Sequence, residues 1–395
     1  MANDVFRGVV VKAHGPAPRP AQRLGLIAAG LLLGALLAEG GVRAYAAVDR
    51  GLGTQLAETD PLAILVEPHG TIGYRQKPNM RFRYANGTAA TSNGMGFRGP
   101  EVTETKPSGV TRIVLLGGST THGWGVEDDQ TIDAHMRRLF AQRAPSRRFE
   151  VVNLAFDAYD SNQLVERLVS DGTRLDPDFL IVNSGINDVA NARLPDLQEN
   201  DPRTLGWQAT LERVRAEQAR GRPYLRTLAK HHSYLVRLVS LFRRRTQIAR
   251  VEETQRTVVP HPQAAEHFQR NLYRIGQIAA DHAMTLMLSS PPSALRDNFA
   301  PVARLSRSYW LADAAATQDY RDTLAVRMHQ VADDLAARGQ PVRYFRPVVP
   351  PSEYLDDCHL TSEGNRVLAE VFVDAIVRHL DSATVVTERR PHARD

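Results

Sequence analysis

Residues 112–120 read RIVLLGGST, an apolar run that ends in two glycines followed by a serine and a threonine. The run is typical of a buried strand, and Gly117 and Gly118 permit a tight turn directly after it. Ser119 then stands where the next helical segment should begin, which in open α/β folds is the ligand-binding edge of the sheet. The motif alone leaves three interpretations open: a nucleophile, a phosphate-binding turn or a plain connection. It lacks both the lysine of a P-loop and the G-x-S-x-G of a nucleophile elbow.

Further apolar runs follow along the chain, and helical periodicity fills the intervals between them. The predicted strands are Arg112–Leu116, Glu150–Leu154, Phe179–Val182, Thr285–Leu288 and Val342–Phe345. The predicted helices are Ile132–Ala141, Ser161–Val169, Ala264–Ala280, Tyr320–Ala337 and Glu363–Leu380. This alternation predicts a parallel sheet with helices on both faces. The predicted fold class is therefore α/β, a flavodoxin-like or related three-layer α/β/α sandwich with a five-stranded parallel sheet.

Polar residues that suit acyl transfer stand at the same predicted edge of the sheet as the serine. An activated serine needs a base, a group that orients the base, and donors for the oxyanion. His359 is the candidate base, and Asp356 is placed to hold its imidazole in the right tautomer. The alternative for His359 is a solvent-exposed loop histidine, and the alternative for Asp356 is a helix-entry cap. The neighbouring Asp357 is predicted to be exposed. Asn187 is either a side-chain oxyanion donor or a turn-former that bonds its own backbone.

Four blocks, in the order of the chain, carry a resemblance to a known family. They are Gly118-Ser119, the region of Ala158, Gly185-Ile186-Asn187-Asp188, and the segment from Asp356 to His359. Together they resemble the SGNH (GDSL-type) hydrolase superfamily, which has a serine block, a glycine block, a G-x-N-D block and a D-x-x-H block. The resemblance covers about residues 110–381, with the N-terminal anchor and the insert 190–262 outside the shared core. The ordered combination of blocks is far more specific than any single block.

The resemblance implies a two-step acyl transfer that needs neither a metal nor an organic cofactor. Ser119 would attack an ester carbonyl, His359 would take and return the proton, and Asp356 would orient His359. The N–H groups of Ser119 and Ala158, with the side chain of Asn187, would stabilise the oxyanion. Ala158 departs from the family, which usually has glycine there, but alanine keeps the N–H if the backbone angles suit a residue with a Cβ.

Three other polar residues near these blocks are interpreted as structural. His122 and His135 lie close to the serine block but lack metal-ligand spacing, so we expect structural or surface roles. Arg98 belongs to a turn-rich stretch dense in glycine and asparagine, where a structural role is favoured over ligand contact.

The composition of the 395-residue chain is that of a globular protein, with 43% hydrophobic and 24% charged residues. Its length predicts two or three structural units and its composition excludes wholesale disorder. The single cysteine, Cys358, excludes an internal disulfide framework and a cysteine-based zinc or iron–sulfur site. The net charge of +5 comes from 49 basic residues spread among 44 acidic ones, without a nucleic-acid-binding signature. We therefore predict no nucleic-acid partner.

The N-terminal residues are typical of a membrane-targeting segment. A basic stretch, residues 1–23, precedes the fifteen uncharged residues Leu24 to Ala38. A helix needs about 20 apolar residues to cross a bilayer. Residues 24–48 are long enough if the charged Glu39 and Arg43 lie at the membrane–water interface. Because the positive charges precede the apolar segment, residues 1–23 are predicted to be cytoplasmic. The remainder of the chain is predicted to be exported to the periplasmic or extracellular side.

Three interpretations of this segment remain open from the sequence. We expect an uncleaved single-pass anchor. Ala44-Tyr45-Ala46 also offers a small-residue cleavage site, and cleavage after Ala46 would give a secreted protein. The third interpretation is a buried core helix.

The rest of the chain divides into four predicted parts. Residues 49–108 form a lead-in arm, residues 109–383 form the hydrolase-like domain with a helical insert at residues 190–262, and residues 384–395 form a disordered tail.

The insert carries one amphipathic pattern. Leu235, Leu238, Val239 and Phe242 follow a helical stripe beside Arg243-Arg244-Arg245. The stripe is either a membrane-surface helix or a helix packed on the domain with solvated arginines.

The sequence leaves three functions open. We predict an anchored, exported serine esterase or deacylase that removes an acyl group, such as O-acetyl, from an envelope glycan, a lipid or a small ester. The first alternative is an O-acyltransferase that uses the same triad on a cell-envelope glycan. The second is a catalytically idle domain that binds carbohydrate.

Overall fold

The computed structural model describes residues 20–48, 65–84, 88–192, 232–239, 242, 260–261, 263–295, 311 and 313–388. In chain order the helices and strands are α1 (Pro20–Val48), β1 (Val66–His69), β2 (Gly73–Gln76), β3 (Arg81–Arg83), β4 (Ala89–Thr91), β5 (Val110–Gly117), α2 (Ser119–His122), α3 (Ile132–Arg143), β6 (Arg148–Asn153), α4 (Ser161–Arg167), β7 (Phe179–Asn183), α5 (Asp188–Asn191), α6 (Ala264–Asp281), β8 (Thr285–Ser289), α7 (Ala314–Ala337), β9 (Val342–Phe345) and α8 (Ser362–Glu388). Residues 234–239 are also helical and are called the insert helix.

Strands β5 to β9 form one sheet in the order β6-β5-β7-β8-β9, and every neighbouring pair is parallel. Leu115 of β5 is paired with Asn153 of β6 on one side and with Ile181 of β7 on the other. This strand order is flavodoxin-like and changes direction beside β5. The carboxyl end of β5 therefore opens into the crevice where such folds bind ligands, and the predicted fold class is confirmed.

The side chains of β5 alternate between two hydrophobic cores. Val114 and Leu116 face a core shared with α4, α6 and α7, whereas Ile113 and Leu115 face a core shared with α3 and α8. All four are fully buried. Since both faces of the strand are covered, its sequence is continuously apolar rather than alternating. The helices on the two faces complete the three layers.

Two antiparallel hairpins, β1–β2 and β3–β4, precede the sheet. Val66 and Tyr74 of the first hairpin join the same core as Val114. Tyr84, at the end of β3, packs against Trp124 in the stretch after α2. The lead-in arm thus packs on the α/β domain beside the carboxyl ends of its strands, although parts of that predicted segment lie outside the described residues.

Helix α1 covers the predicted transmembrane segment and begins at Pro20, where proline suits the first turn of a helix. It is long and apolar enough to cross a membrane. Its leucines are exposed, Leu24 by 68% and Leu31 by 72%. The described residues therefore give no support to the buried-core interpretation. Residues 1–19 lie outside the described part of the chain.

The insert helix begins against the last turns of α1. The carboxylate of Glu39 accepts hydrogen bonds from Oγ of Ser233 at 2.7 Å and from the next two backbone N–H groups, each at 2.9 Å. Leu238 packs with Tyr234 against Ala46. Glu39 therefore caps the start of a helix that lies almost 200 residues later in the chain.

The predicted amphipathic stripe of the insert is only partly covered in the structure. Leu238 packs on α1, whereas Val239 and Phe242 are exposed by 46% and 57%. Leu238 therefore packs on α1, a partner that neither interpretation of the stripe named. Most of the predicted insert, including residues 243–245, lies outside the described residues.

The observed helix ends differ most from the prediction at the start of α7 and the end of α8. Helix α7 begins at Ala314, six residues before the predicted start, because the side chain of Asp313 caps it by accepting from the N–H of Ala316. Helix α8 continues to Glu388. The disordered tail stays a prediction, although its first five residues, 384–388, continue this helix without a glycine or proline to interrupt it. Residues 389–395 lie outside the described part of the chain.

Candidate active site

Ser119 is the first residue of α2 and follows β5 after the turn that the sequence predicts. The turn requires glycines because neither position has room for a side chain. A Cβ at Gly117 would lie 2.7 Å from the carbonyl oxygen of Asn183, and one at Gly118 would overlap the side-chain amide of Asn187. The two glycines bring the serine close to the neighbouring strand ends at the carboxyl edge of the sheet.

His359 meets Ser119 from the loop between β9 and α8, 240 residues later in the chain. Its Nε2 lies 2.7 Å from Oγ of Ser119, and its Nδ1 lies 2.6 Å from Oδ2 of Asp356. In the neutral tautomer that donates from Nδ1, the ring accepts the hydroxyl proton of the serine at Nε2. Oδ1 of Asp356 accepts the backbone N–H groups of Cys358 at 2.9 Å and His359 at 2.7 Å, which fix the carboxylate. The structure thus brings three predicted site residues into one hydrogen-bonded chain.

The aspartate and the histidine shift each other's pKa in opposite directions. Burial acts to raise the pKa of Asp356, but the charge and hydrogen bond of His359 and the two backbone N–H groups outweigh it and lower the pKa to about 2. Burial acts to lower the pKa of His359, but the Asp356 carboxylate outweighs it and raises the pKa well above the usual 6.5. Asp356 is therefore ionised, and His359 is a stronger base than a free imidazole.

Ala158 and Asn187 border the same end of the sheet. Ala158 lies in the turn after β6 at φ +63°, a left-handed conformation that favours glycine. Among the described residues, nothing accepts its backbone N–H. Asn187 donates from Nδ2 to the carbonyl oxygen of Tyr159 at 2.9 Å and keeps a second Nδ2 hydrogen for another acceptor. Both predicted donors are thus present beside the turn that carries the serine.

Trp124 forms one wall of the site and was not among the predicted residues. Its ring centroid lies 4.5 Å from that of His359, with 34° between the planes. On its other side it contacts Tyr84 of the arm, with centroids 5.8 Å apart. The sequence indicates only that a tryptophan follows the serine by five residues. It does not indicate that this side chain packs against His359.

Arg98 holds the stretch that follows α2. Its side chain is buried and donates to the carbonyl oxygens of His122 at 3.1 Å, Gly123 and Val126 at 2.6 Å. It also pairs with Asp128 at 3.0 Å. These contacts are within the protein, in agreement with the predicted structural role.

The two histidines near the serine block are both buried. His122 lies 3.1 Å from Asp157, and Nε2 of His135 lies 3.2 Å from Oγ of Ser362. Neither is hydrogen-bonded to the triad among the described residues. Their placement agrees with the structural interpretation and excludes a surface position.

The prediction that Asp357 is exposed is wrong. The residue is 2% exposed, and its Oδ2 accepts a hydrogen bond from Nη2 of Arg321 at 2.7 Å. Its carbonyl oxygen accepts the N–H of Ala294 at 3.0 Å. A local pattern does not show this burial because the arginine comes from α7.

The donor atoms of Asp356, Cys358 and His359 lie within 4.8 Å of one another, close enough for a metal ion. Two features disfavour that use. Nδ1 of His359 already bonds Asp356. Burial raises the pKa of the Cys358 thiol to about 11, whereas a metal ligand must be a thiolate. The arrangement suits proton transfer between serine, histidine and aspartate better than metal binding.

Comparison with known proteins gives the family of the chain. The model of the GDSL-like lipase/acylhydrolase family matches residues 115–367, more than half of the chain. Similar solved structures include a GDSL-like lipase from Bacteroides thetaiotaomicron (14% identity, 68% of this chain and 89% of that chain, TM-score 0.36). They also include a mutant of an acetyl-xylooligosaccharide esterase from Geobacillus (14% identity, 67% of this chain and 93% of that chain, TM-score 0.36). A third is the esterase EstA from Pseudoalteromonas (11% identity, 69% of this chain and 99% of that chain, TM-score 0.35). Among curated proteins, none matches the sequence. The chain belongs to the GDSL-like lipase/acylhydrolase family, whose members are ester-hydrolysing enzymes.

Proposed function

We propose that the protein is a serine esterase in which Ser119, His359 and Asp356 act as the catalytic triad. The observation that carries this proposal is the hydrogen-bonded chain from Oγ of Ser119 through both ring nitrogens of His359 to the Asp356 carboxylate. The pKa shifts support the assignment, because an ionised aspartate next to a strengthened imidazole is what a general base of this kind requires.

The reaction proceeds in two steps. Oγ of Ser119 attacks the ester carbonyl while Nε2 of His359 takes the hydroxyl proton. Collapse of the tetrahedral intermediate leaves the acyl group on the serine, and His359 returns the proton to the departing alcohol. In the second step His359 takes a proton from water, the hydroxide attacks the acyl-enzyme, and the carboxylic acid leaves as Ser119 regains its proton. Asp356 holds the ring and stabilises its positive charge throughout.

The negative charge of each tetrahedral intermediate requires donors that are in place beforehand. We assign this role to the backbone N–H groups of Ser119 and Ala158 and to Nδ2 of Asn187. The left-handed turn at Ala158 and the hydrogen bond from Asn187 to Tyr159 support the assignment, because both fix a donor beside the serine. Removal of one such donor typically lowers turnover by about 10²–10³-fold.

The substrate proposed is an O-acyl ester with a small acyl group, acetyl being the first to test. The support is Trp124, whose buried ring closes one side of the site against His359. Purified full-length protein should hydrolyse p-nitrophenyl acetate faster than the butyrate or octanoate, and Ser119→Ala should abolish the hydrolysis. Transfer of the acetyl group to an added glycan, in place of hydrolysis, would instead support the O-acyltransferase alternative. A folded protein inactive in both assays and unreactive toward fluorophosphonates would support the carbohydrate-binding alternative.

We also infer that α1 is a retained membrane anchor with the esterase domain on the exported side. The support is the contact between its last turns and the insert helix. Cleavage after Ala46 would remove the Glu39 carboxylate that accepts three hydrogen bonds at the start of that helix. It would also remove Arg43, which donates to the carbonyl oxygen of His232 at 2.6 Å.

The intact mass of a C-terminally tagged chain recovered from membranes tests this inference. A mass that includes α1 is expected, and the tag should remain in the membrane fraction after a high-salt wash. A mass that corresponds to a chain beginning at Ala47, with the protein released from the membrane, would contradict the retained anchor.

A further inference from the structure

A second histidine–aspartate pair lies buried beside the triad and takes no part in the proposed proton transfer. Nδ1 of His122 lies 3.1 Å from Oδ1 of Asp157. The ring is fully buried, and the aspartate is 3% exposed. Nε2 of His122 lies 3.3 Å from Oε1 of Gln76, so both ring nitrogens have a polar neighbour and the orientation of the ring is fixed.

The pair joins the two segments that carry the proposed backbone donors. His122 is the last residue of the four-residue helix α2, whose first residue is Ser119. Asp157 directly precedes Ala158 in the turn after β6. The hydrogen bond between His122 and Asp157, together with the backbone bond from the N–H of Phe156 to the carbonyl oxygen of Gly117 at 3.2 Å, therefore links the segment of Ser119 to that of Ala158.

The turn at Ala158 needs such support. A residue with a Cβ is strained at φ +63°, and this conformation persists only where the surroundings hold it. The carbonyl oxygen of Asp157 accepts a hydrogen bond from the hydroxyl of Tyr74 at 3.0 Å. Oδ2 of Asp157 has no partner among the described residues, so within them the bond to His122 is what holds the carboxylate. The loss of His122 would leave a buried carboxylate without a donor, which proteins relieve by moving the chain.

We propose that His122 and Asp157 are positioning residues for the oxyanion hole. They act by fixing the left-handed turn at Ala158 relative to the helix that begins at Ser119. The side chains of the pair bond each other and Gln76 and Tyr84 of the arm, and among the described residues neither side chain bonds the triad. The proposal rests on the esterase function proposed above.

The test compares four variants of the full-length protein, purified in detergent and assayed with p-nitrophenyl acetate. Asp157→Ala and His122→Gln break the pair, and Asp157→Asn keeps an oxygen that accepts from Nδ1 of His122. His135→Gln is the matched control, because His135 is also buried and its described side-chain hydrogen bonds run to Ser362 and Arg138 rather than to the turn at Ala158. The readouts are kcat, KM and the inhibition constant of a trifluoromethyl ketone, whose adduct on the serine needs the oxyanion donors.

Misplacement of a reacting group by about 1 Å costs roughly 10²-fold in rate. We therefore expect Asp157→Ala and His122→Gln to lower kcat by about 10- to 100-fold, with little change in KM. The inhibition constant should rise by a similar factor. Asp157→Asn should restore most of both values, and His135→Gln should resemble the wild type.

The proposal is overturned if the folded variants keep the wild-type kcat and inhibition constant. It is also overturned if kcat falls while the ketone binds as before, or if His135→Gln causes the same loss as His122→Gln. Where Asp157→Ala does not fold, His122→Gln and Asp157→Asn decide. A wild-type protein that does not hydrolyse the ester would instead contradict the esterase function itself.

Discussion

Gly118 and Asn187 lie so close together that a Cβ on the glycine would overlap the side-chain amide of the asparagine. The amide is held there by its hydrogen bond to the carbonyl oxygen of Tyr159, which itself would lie 3.3 Å from that Cβ. The glycine before the serine therefore does more than permit a turn. It creates the space in which the proposed oxyanion donor stands beside the nucleophile.

Gly118→Ala is accordingly expected to displace the amide of Asn187 and to lower kcat by about 10²-fold, the typical effect of losing one oxyanion donor. Steady-state kinetics with p-nitrophenyl acetate measures the effect. Gly70→Ala is the control, since a Cβ at Gly70 meets nothing within 4 Å. Equal activity of the two variants would show that Asn187 does not act through this space.

The activity should depend on pH through His359. As the pH falls through the pKa of His359, the ring takes a proton and no longer accepts one from Ser119, so kcat/KM falls on the acidic side. Because Asp356 raises that pKa, the acidic limb should lie well above pH 6.5. Asp356→Asn should move the limb to lower pH and decrease kcat by about 10⁴-fold.

Profiles of kcat/KM between about pH 5 and pH 10 test this expectation. This range covers both sides of the ordinary histidine pKa of about 6.5. Asp374→Asn is the control and should leave the limb unchanged, because Asp374 lies on α8 in an ion pair with Arg143 of α3, outside the triad. An unshifted limb in Asp356→Asn would mean that the aspartate does not set the basicity of His359.

Trp124 should influence the same titration. The face of an aromatic ring stabilises a nearby cation by about 0.5–2 kcal/mol, and the ring of Trp124 lies 4.5 Å from that of His359. Trp124→Leu should therefore lower the pKa of His359, which would appear as a shift of the acidic limb of kcat/KM to lower pH. Trp124→Phe keeps an aromatic face and should keep most of the shift. If both variants titrate like the wild type, the tryptophan acts only as a steric wall.

Cys358 should be chemically inert in the folded protein. Burial raises the pKa of its thiol to about 11, and the thiolate is the reactive form. Ellman's reagent should detect no thiol in the native protein and one thiol after denaturation, because the chain has a single cysteine. Iodoacetamide should leave the esterase activity unchanged, and rapid inactivation would contradict the buried, protonated thiol.

The alternation of apolar runs and helical periodicity was sufficient to predict the parallel sheet, because a strand buried on both faces must be apolar throughout. The start of β9 and the starts of α3, α4 and α6 agree with the prediction to the residue. The start of α7 and the end of α8 differ most from the predicted ones, because the ends of a helix depend on single capping or breaking residues.

For the site, the sequence predicted the residues whose spacing is local or follows a strand end. Asp356 and His359 lie three residues apart, and Ser119 follows the apolar run. It did not predict Trp124 beside His359 or the burial of Asp357 by Arg321, because each depends on elements that only the folded chain brings together.

The most direct test of the triad is covalent trapping with a fluorophosphonate, followed by intact mass and peptide mapping. The wild type should gain one adduct on Ser119, Ser119→Ala should gain none, and His359→Ala should react far more slowly. An adduct on another residue, or none on folded wild-type protein, would contradict the assignment of Ser119 as a nucleophile activated by His359.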